Sequence, residues 1–310
     1  MKAPCPARSR DRQFRPQVEA LESRWCPSAS IVVSGHTMII KGDALAEQIT
    51  IRDDGDGGVS ASVVSTAGKV TGSGSAITKV EVYGGKGSDM VDFALTNTLA
   101  TNLDLDIHLG KGTDQANLDF ADGVRGSNLG VDVDGRAGND QVSARLGDVT
   151  DSHVHLTGCL GKGADSYNLA LKGEVTGGSE VGVHINGAIG DDSLHVNATG
   201  LNIGEDSRVG VELNGGPGAD NIGLTYDGVL KGKLAVKLSG GEGADTIVGN
   251  ITAEVGSTGT LNAAERGSKG NDNLTLNVYD LGNLADLDAV IYGGPGHNTF
   301  THTSNVKVIP

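Results

Sequence analysis

Apolar and polar residues alternate along this chain in short blocks, and the blocks come in pairs separated by a glycine-rich hexapeptide. Before the hexapeptides the apolar positions are Val80/Val82, Leu105/Ile107, Val131/Val133, Val183/Ile185, Val211/Leu213 and Val236/Leu238. After them come Val91/Phe93, Ala116/Leu118, Val142/Ala144, Tyr167/Leu169, Leu194/Val196, Ile222/Leu224 and Leu274/Leu276. Alternation with a period of two marks half-buried strands. Each unit therefore predicts a strand, a turn, a second strand, and a loop with one or two apolar anchors. Those anchors are Val124, Val149, Val175, Ile203 and Val229, read as a short third face.

The hexapeptides set the period. They read GGKGSD ending at Asp89, LGKGTD at Asp114, GRAGND at Asp140, LGKGAD at Asp165, GAIGDD at Asp192, GGPGAD at Asp220, GGEGAD at Asp245 and GSKGND at Asp272; a ninth, GGPGHN, ends at Asn298. The steps are 25, 26, 25, 27, 28, 25, 27 and 26 residues. A near-fixed period in this range marks stacked repeats. The expected fold is all-β: a parallel β-helix, or solenoid, of about nine coils with a ~26-residue period, and about 43 Å long at ~4.8 Å per layer. The alternative is an antiparallel β-sandwich in which each glycine-rich turn closes a hairpin. Recurrence of the same residues at fixed positions favours stacking.

Three segments follow from this pattern. Residues 80–310 form the repeat domain. Residues 31–79 read as an N-terminal β cap holding a degenerate repeat, GDALAEQITI, with Glu47 in the Asp position and Ile49 and Ile51 inward. Residues 1–30 are basic and outside the repeat, and are expected to be a disordered leader.

Composition sharpens the picture. Aromatics are 3% and glycine is 49 of 310 residues, so the core must be built of small side chains in thin layers. The net charge is -15; residues 1–30 carry six Lys/Arg against three Asp/Glu, or +3, leaving -18 for the rest. An acidic body argues against nucleic acid. No stretch reaches the ~20 apolar residues of a membrane span. Cys5, Cys26 and Cys159 form no CxxC pair; Cys5 and Cys26 are free to pair in an oxidising compartment, which would leave Cys159 alone.

The recurring turn carries the candidate chemistry. Glycines allow positive φ and bring carbonyls to one side of a tight turn. The turn glycines are Gly84, Gly85, Gly87, Gly112, Gly138, Gly163, Gly190, Gly215, Gly216, Gly218, Gly240, Gly241, Gly243 and Gly270. A carboxylate placed after them joins those carbonyls, and calcium takes about six to eight such oxygens. Asp89, Asp114, Asp140, Asp165, Asp192, Asp220, Asp245 and Asp272 are the candidate calcium ligands. Carboxylates stacked ~4.8 Å apart repel by roughly 3–4 kcal/mol at an effective dielectric near 20, which also favours a cation between them. The competing reading makes each Asp a cap for its own turn through backbone N–H groups.

These turns resemble the repeats-in-toxin (RTX) calcium-binding family, whose unit reads G-G-x-G-x-D-x-U-x. Gly84–Val91, Gly215–Ile222 and Gly240–Ile247 match it through the apolar position. The resemblance implies Ca²⁺ held between stacked turns by carbonyls and the Asp. The chain departs from that family in having one copy per coil instead of tandem nine-residue repeats. Leu109 and Leu160 replace the first glycine, Ala188 the second, and Asn298 the last Asp. Separately, FRPQVEALESRWCPSAS, Phe14 to Ser30, resembles a short segment at the start of many exported or surface proteins of planctomycete bacteria. It implies an extracellular or cell-surface location.

The outward position eight residues before each turn Asp offers a second column. Asp132, His155, His184 and Glu212 would line up there if a two-residue bulge precedes Cys159, and could hold a transition metal. The plainer reading is a solvated charged face.

The expected function is that of an exported, non-catalytic calcium-binding repeat protein with a structural role at the cell surface or in a matrix. Its partners would be cell-surface polymers or other surface proteins. An adhesin or glycan-binding module is the alternative. A polysaccharide-degrading β-helix enzyme ranks lower, because the repeats contain no Trp and the chain has no G-x-S-x-G, Walker or HExxH motif.

Overall fold

The glycine-rich turns do not close hairpins. The strands Lys79–Lys86 and Met90–Leu95 flank the first turn yet lie in different sheets, each paired in parallel with its counterpart one repeat later. The same holds for every later turn, so the chain winds as a parallel β-solenoid and the hairpin sandwich is excluded. The computed structural model describes residues 29–310. Apart from Ala29 and Ser30, the basic leader and the possible Cys5–Cys26 pair lie outside the described residues.

Each coil has three faces. One 12-stranded sheet carries the strand before each turn and another carries the strand after it. A four-stranded sheet of short segments (Val124–Arg125, Val149–Thr150, Gly173–Thr176 and Leu201–Ile203) forms the third face and holds the expected anchors Val124, Val149, Val175 and Ile203; in the following coil the buried residue that bridges to Ile203 is Leu230 and not the expected Val229. Register is strict: Val131 lies between Leu105 and Leu156, and Ala144 between Leu118 and Leu169. One residue of slip would turn every buried side chain outward, so the alternation itself fixes the stacking. Burying each Val, Leu or Ile stabilises by about 1.5–3 kcal/mol, an upper figure for an extended unfolded chain.

Two coils break the apolar pattern seven residues before the turn Asp. Gly158 lies between Val133 and Ile185, and Glu265 between Leu238 and Ile291. Neither shifts the register. The ring of Tyr167 covers Gly158, and Gly249 on the facing sheet leaves room for the Glu265 carboxyl.

The stack begins earlier than residue 80. Thr37–Lys41 and Gln48–Asp53 pair in parallel with Lys79–Lys86 and Met90–Leu95, making a first coil inside residues 31–79. The antiparallel strands Ser30–Ser34, Val59–Ser65 and Gly68–Gly74 extend the two large sheets at this end. They cover the edge that a bare first coil would expose.

Candidate functional site: a buried carboxylate column

The eight turn aspartates are buried, each 1–3% exposed. In every turn the residue four places before the Asp has positive φ, even where it is not glycine: Arg136 (71°), Ala188 (77°) and Ser268 (76°). Two places before the Asp the requirement is stricter. Gly163 has φ 144°, and a Cβ there would overlap the carbonyl oxygen of Gly138 in the coil before. The turns nest by backbone contact, which only glycine permits.

The two carboxylate oxygens have different fates. Each Oδ1 accepts the backbone N–H of the Asp in the preceding coil: Asp89 N–H donates to Asp114 at 2.7 Å, Asp114 to Asp140 at 2.9 Å, and Asp140 to Asp165 at 2.6 Å. The ladder continues through Asp192, Asp220, Asp245 and Asp272 at 2.8–3.1 Å. The carboxylates thus cap a neighbouring turn and not their own. Each Oδ2 is buried with no hydrogen-bond partner. Asp89 Oδ2 lies 2.8 Å from where a Cβ on Gly84 would stand, a position also flanked by the carbonyl oxygen of Leu109 in the next coil. Asp140 Oδ2 bears the same relation to Gly135 and the Leu160 carbonyl, at 2.9 Å.

Glu47 and Asn298 end the column. Glu47 N–H donates to Asp89 Oδ1 at 2.9 Å, and its own Oε2 is a buried orphan beside the Gly84 carbonyl. At the far end Asp272 N–H donates to Asn298 Oδ1 at 2.9 Å.

Burial is the main force on the protons of this column. Together with a smaller push from neighbouring carboxylates, it raises Asp140 and Asp220 to about 7 and Asp165 to about 6. Asp89, Asp114, Asp192 and Asp245 shift upward for the same first reason. Glu47 is pushed up to about 8. The accepted N–H bonds oppose these shifts but do not cancel them.

An orphaned acceptor flanked by carbonyl oxygens needs a proton or a cation. Among the described residues no three His, Cys, Asp or Glu side chains cluster as metal ligands. A cation here would therefore draw on carboxylate and backbone oxygens together, the donor set of calcium and not of zinc.

The second column does not assemble as read. Asp132 aligns with Thr157, and Thr157 with His184. His155 lies two residues away, between Gly130 and Gly182, because no bulge precedes Cys159. Thr157 donates to Asp132 Oδ1 at 2.9 Å; the His155 and His184 rings are 5.1 Å apart, and His184 Nε2 is 3.8 Å from Glu212. Glu212 also pairs with Lys237. These are outward charged pairs and not a four-ligand site.

One ladder went unread in the sequence. Ser127, Ser152, Ser179 and Ser207 recur thirteen residues before their turn Asp and are all buried. Ser127 N–H donates to Ser152 Oγ at 3.2 Å, and Ser152 N–H to Ser179 Oγ at 3.1 Å. The recurrence was visible, but serine has no period-two signature and falls between the strands.

The chain matches no family model, no curated protein and no solved structure, so the site itself carries the functional argument.

Proposed function

We propose that this chain is an exported, non-catalytic calcium-binding solenoid with a structural role at the cell surface or in a matrix. The observation that carries the reading is the row of nine buried carboxyl oxygens, one from Glu47 and eight from the aspartates, that lack any hydrogen-bond donor. Calcium between successive turns would satisfy them together with the adjacent carbonyls and screen one carboxylate from the next. Carbonyl-rich turns bring ligands without needing further acidic side chains. The RTX-like turn sequences and the planctomycete-like leader support the same reading from the chain alone.

Thermal unfolding of the full chain tests it, in excess EDTA, in millimolar calcium and in millimolar magnesium. A ligand selective for the folded state raises the melting temperature. A large upward shift with calcium and not with magnesium is expected. Equal melting in all three would leave the carboxylates as protonated turn caps and end the calcium reading.

A second reading, glycan binding, is favoured by an open groove on the outer face of the first sheet. His184, Glu212, Lys237, Arg266, Asp288 and Tyr292 line it, with the Arg266 guanidinium 4.7 Å from the Tyr292 ring centre. Retention on a glycan array that is abolished by Tyr292→Ala would move the weight to this reading.

A further inference from the structure

Asn298 occupies the place of the turn aspartate in the last hexapeptide, GGPGHN. Its Oδ1 accepts the Asp272 N–H as each aspartate accepts the N–H before it. Its Nδ2 lies 2.9 Å from where a Cβ on Gly293 would stand, the same place that Asp89 Oδ2 holds at 2.8 Å from Gly84 and Asp140 Oδ2 at 2.9 Å from Gly135. The amide nitrogen therefore sits where every other turn carries an orphaned oxygen. Unlike those oxygens it has a partner: it donates to the Gly294 carbonyl at 3.0 Å. A carboxamide matches a carboxylate in shape but brings its own hydrogens.

We propose that Asn298 is the neutral terminator of the column, its amide hydrogen taking the role that a bound divalent cation plays at the carboxyl positions from Glu47 to Asp272. Two features of the column agree with it. No carbonyl of a later turn flanks Gly293, whereas Gly84, Gly135, Gly187 and Gly267 each have one from the next coil. A carboxylate at 298 would thus lack the second-coil oxygen that completes a cation's shell. At the opposite end Glu47 keeps an orphaned oxygen beside the Gly84 carbonyl, so the cation positions begin there. It follows that exchanging any column carboxylate for its amide loads that position permanently and without an ion. The identity of the ion rests on the calcium reading; the role of the amide does not.

The test uses the full chain, stripped with chelator and dialysed against calcium, in four forms: wild type, Asp165→Asn, Asp165→Ala and Asn298→Asp. Bound calcium per chain is read by atomic emission, and melting temperature is read in EDTA at pH 8. Asp165→Asn is expected to bind about one calcium fewer and to melt a few degrees higher than wild type in EDTA, roughly the shift of one relieved buried polar group. Asp165→Ala loses the ion too but melts lower, because the Asp140 N–H loses its acceptor. Asn298→Asp melts lower than wild type in EDTA. Asp165→Asn melting no higher than Asp165→Ala, or Asn298→Asp melting like wild type, overturns the terminator. If wild type takes up no calcium while Asp165→Asn still melts highest, the calcium reading falls and the terminator stands with a proton as the load. If wild type binds calcium but the amide gives no gain, the reverse holds.

Discussion

The ring of Tyr167 lies over Gly158, so close that a Cβ on the glycine would stand 3.2 Å from Tyr167 Cε2. All six inward positions of this rank that the alternation singled out in other coils carry Val, Ile or Leu, and the tyrosine makes good the missing side chain from the next strand. Gly158→Val restores the pattern of the neighbouring coils but overpacks this one. It is expected to cost about 1–3 kcal/mol, read by chemical denaturation. Adding Tyr167→Leu should recover most of that loss, with a coupling of about 1 kcal/mol or more between the two sites. Additive costs would mean the ring does not fill the glycine's space. The Tyr167 hydroxyl is buried without a partner, so Tyr167→Phe alone should not destabilise.

Acid should stabilise the calcium-free protein. Asp140 and Asp220 keep their protons to about 7 and Asp165 to about 6, against an ordinary 3.8 in the unfolded chain. Where the native group binds its proton more tightly, that stability is complete below the unfolded value and is lost as pH rises through the native one. In EDTA the melting temperature is therefore expected to fall between pH 4 and pH 7, the opposite of ordinary acid unfolding. If calcium fills the column as proposed, saturating calcium should reverse the trend, since a bound ion would compete with the proton for the same oxygen. Calorimetry over this range checks both signs; a maximum near pH 7 in EDTA would contradict the protonated column.

Ala188 holds φ 77° at a turn position that glycine fills in most coils. A non-glycine residue there stores about 1–2 kcal/mol of strain. Ala188→Gly should release part of it, raising stability by up to about 1 kcal/mol even though the change adds freedom to the unfolded chain. Unchanged or lower stability in denaturant would show the left-handed turn to be unstrained.

Glu265 points into the core with both carboxyl oxygens unpartnered, and burial pushes it up to about 9. It stays neutral at pH 7 in the fold while its unfolded counterpart ionises near 4.5. The resulting penalty grows from pH 4.5 upward. Glu265→Leu should stabilise by about 1–3 kcal/mol at pH 8 and by less at pH 4. An equal gain at both pH values would trace the effect to packing instead of charge.

These cases show where the sequence was legible. Alternation and spacing gave the solenoid because each coil must present the same residue to the next. Val131 could only sit between Leu105 and Leu156. Reading failed where one coil departs and its neighbour compensates. A two-residue bulge before Cys159 was expected to bring His155 into the outward column, but the strand runs on through Gly158 without one and Thr157 stands there. The compensating Tyr167 lies on another sheet, so no local pattern could reveal it. The aspartates were found by their turns, but their burial was not, since side-chain direction at a corner follows from how coils nest. Glu47 was recognised as the Asp equivalent, yet its share in the column appeared only when Thr37–Lys41 and Gln48–Asp53 proved to be a full coil.

The hydrogen bonds of the column all point one way. The Asp of each turn is held by the carboxylate of the turn that follows, as Asp140 N–H is held by Asp165. A ribosome delivers the chain N-terminus first, so every corner emerges before the group that secures it. Each newly arrived turn locks its predecessor, and the most recent one is always open. The molecule is thus a queue completed from behind, and a stalled or truncated chain would leave its fault at the last turn made while the earlier ones remain closed.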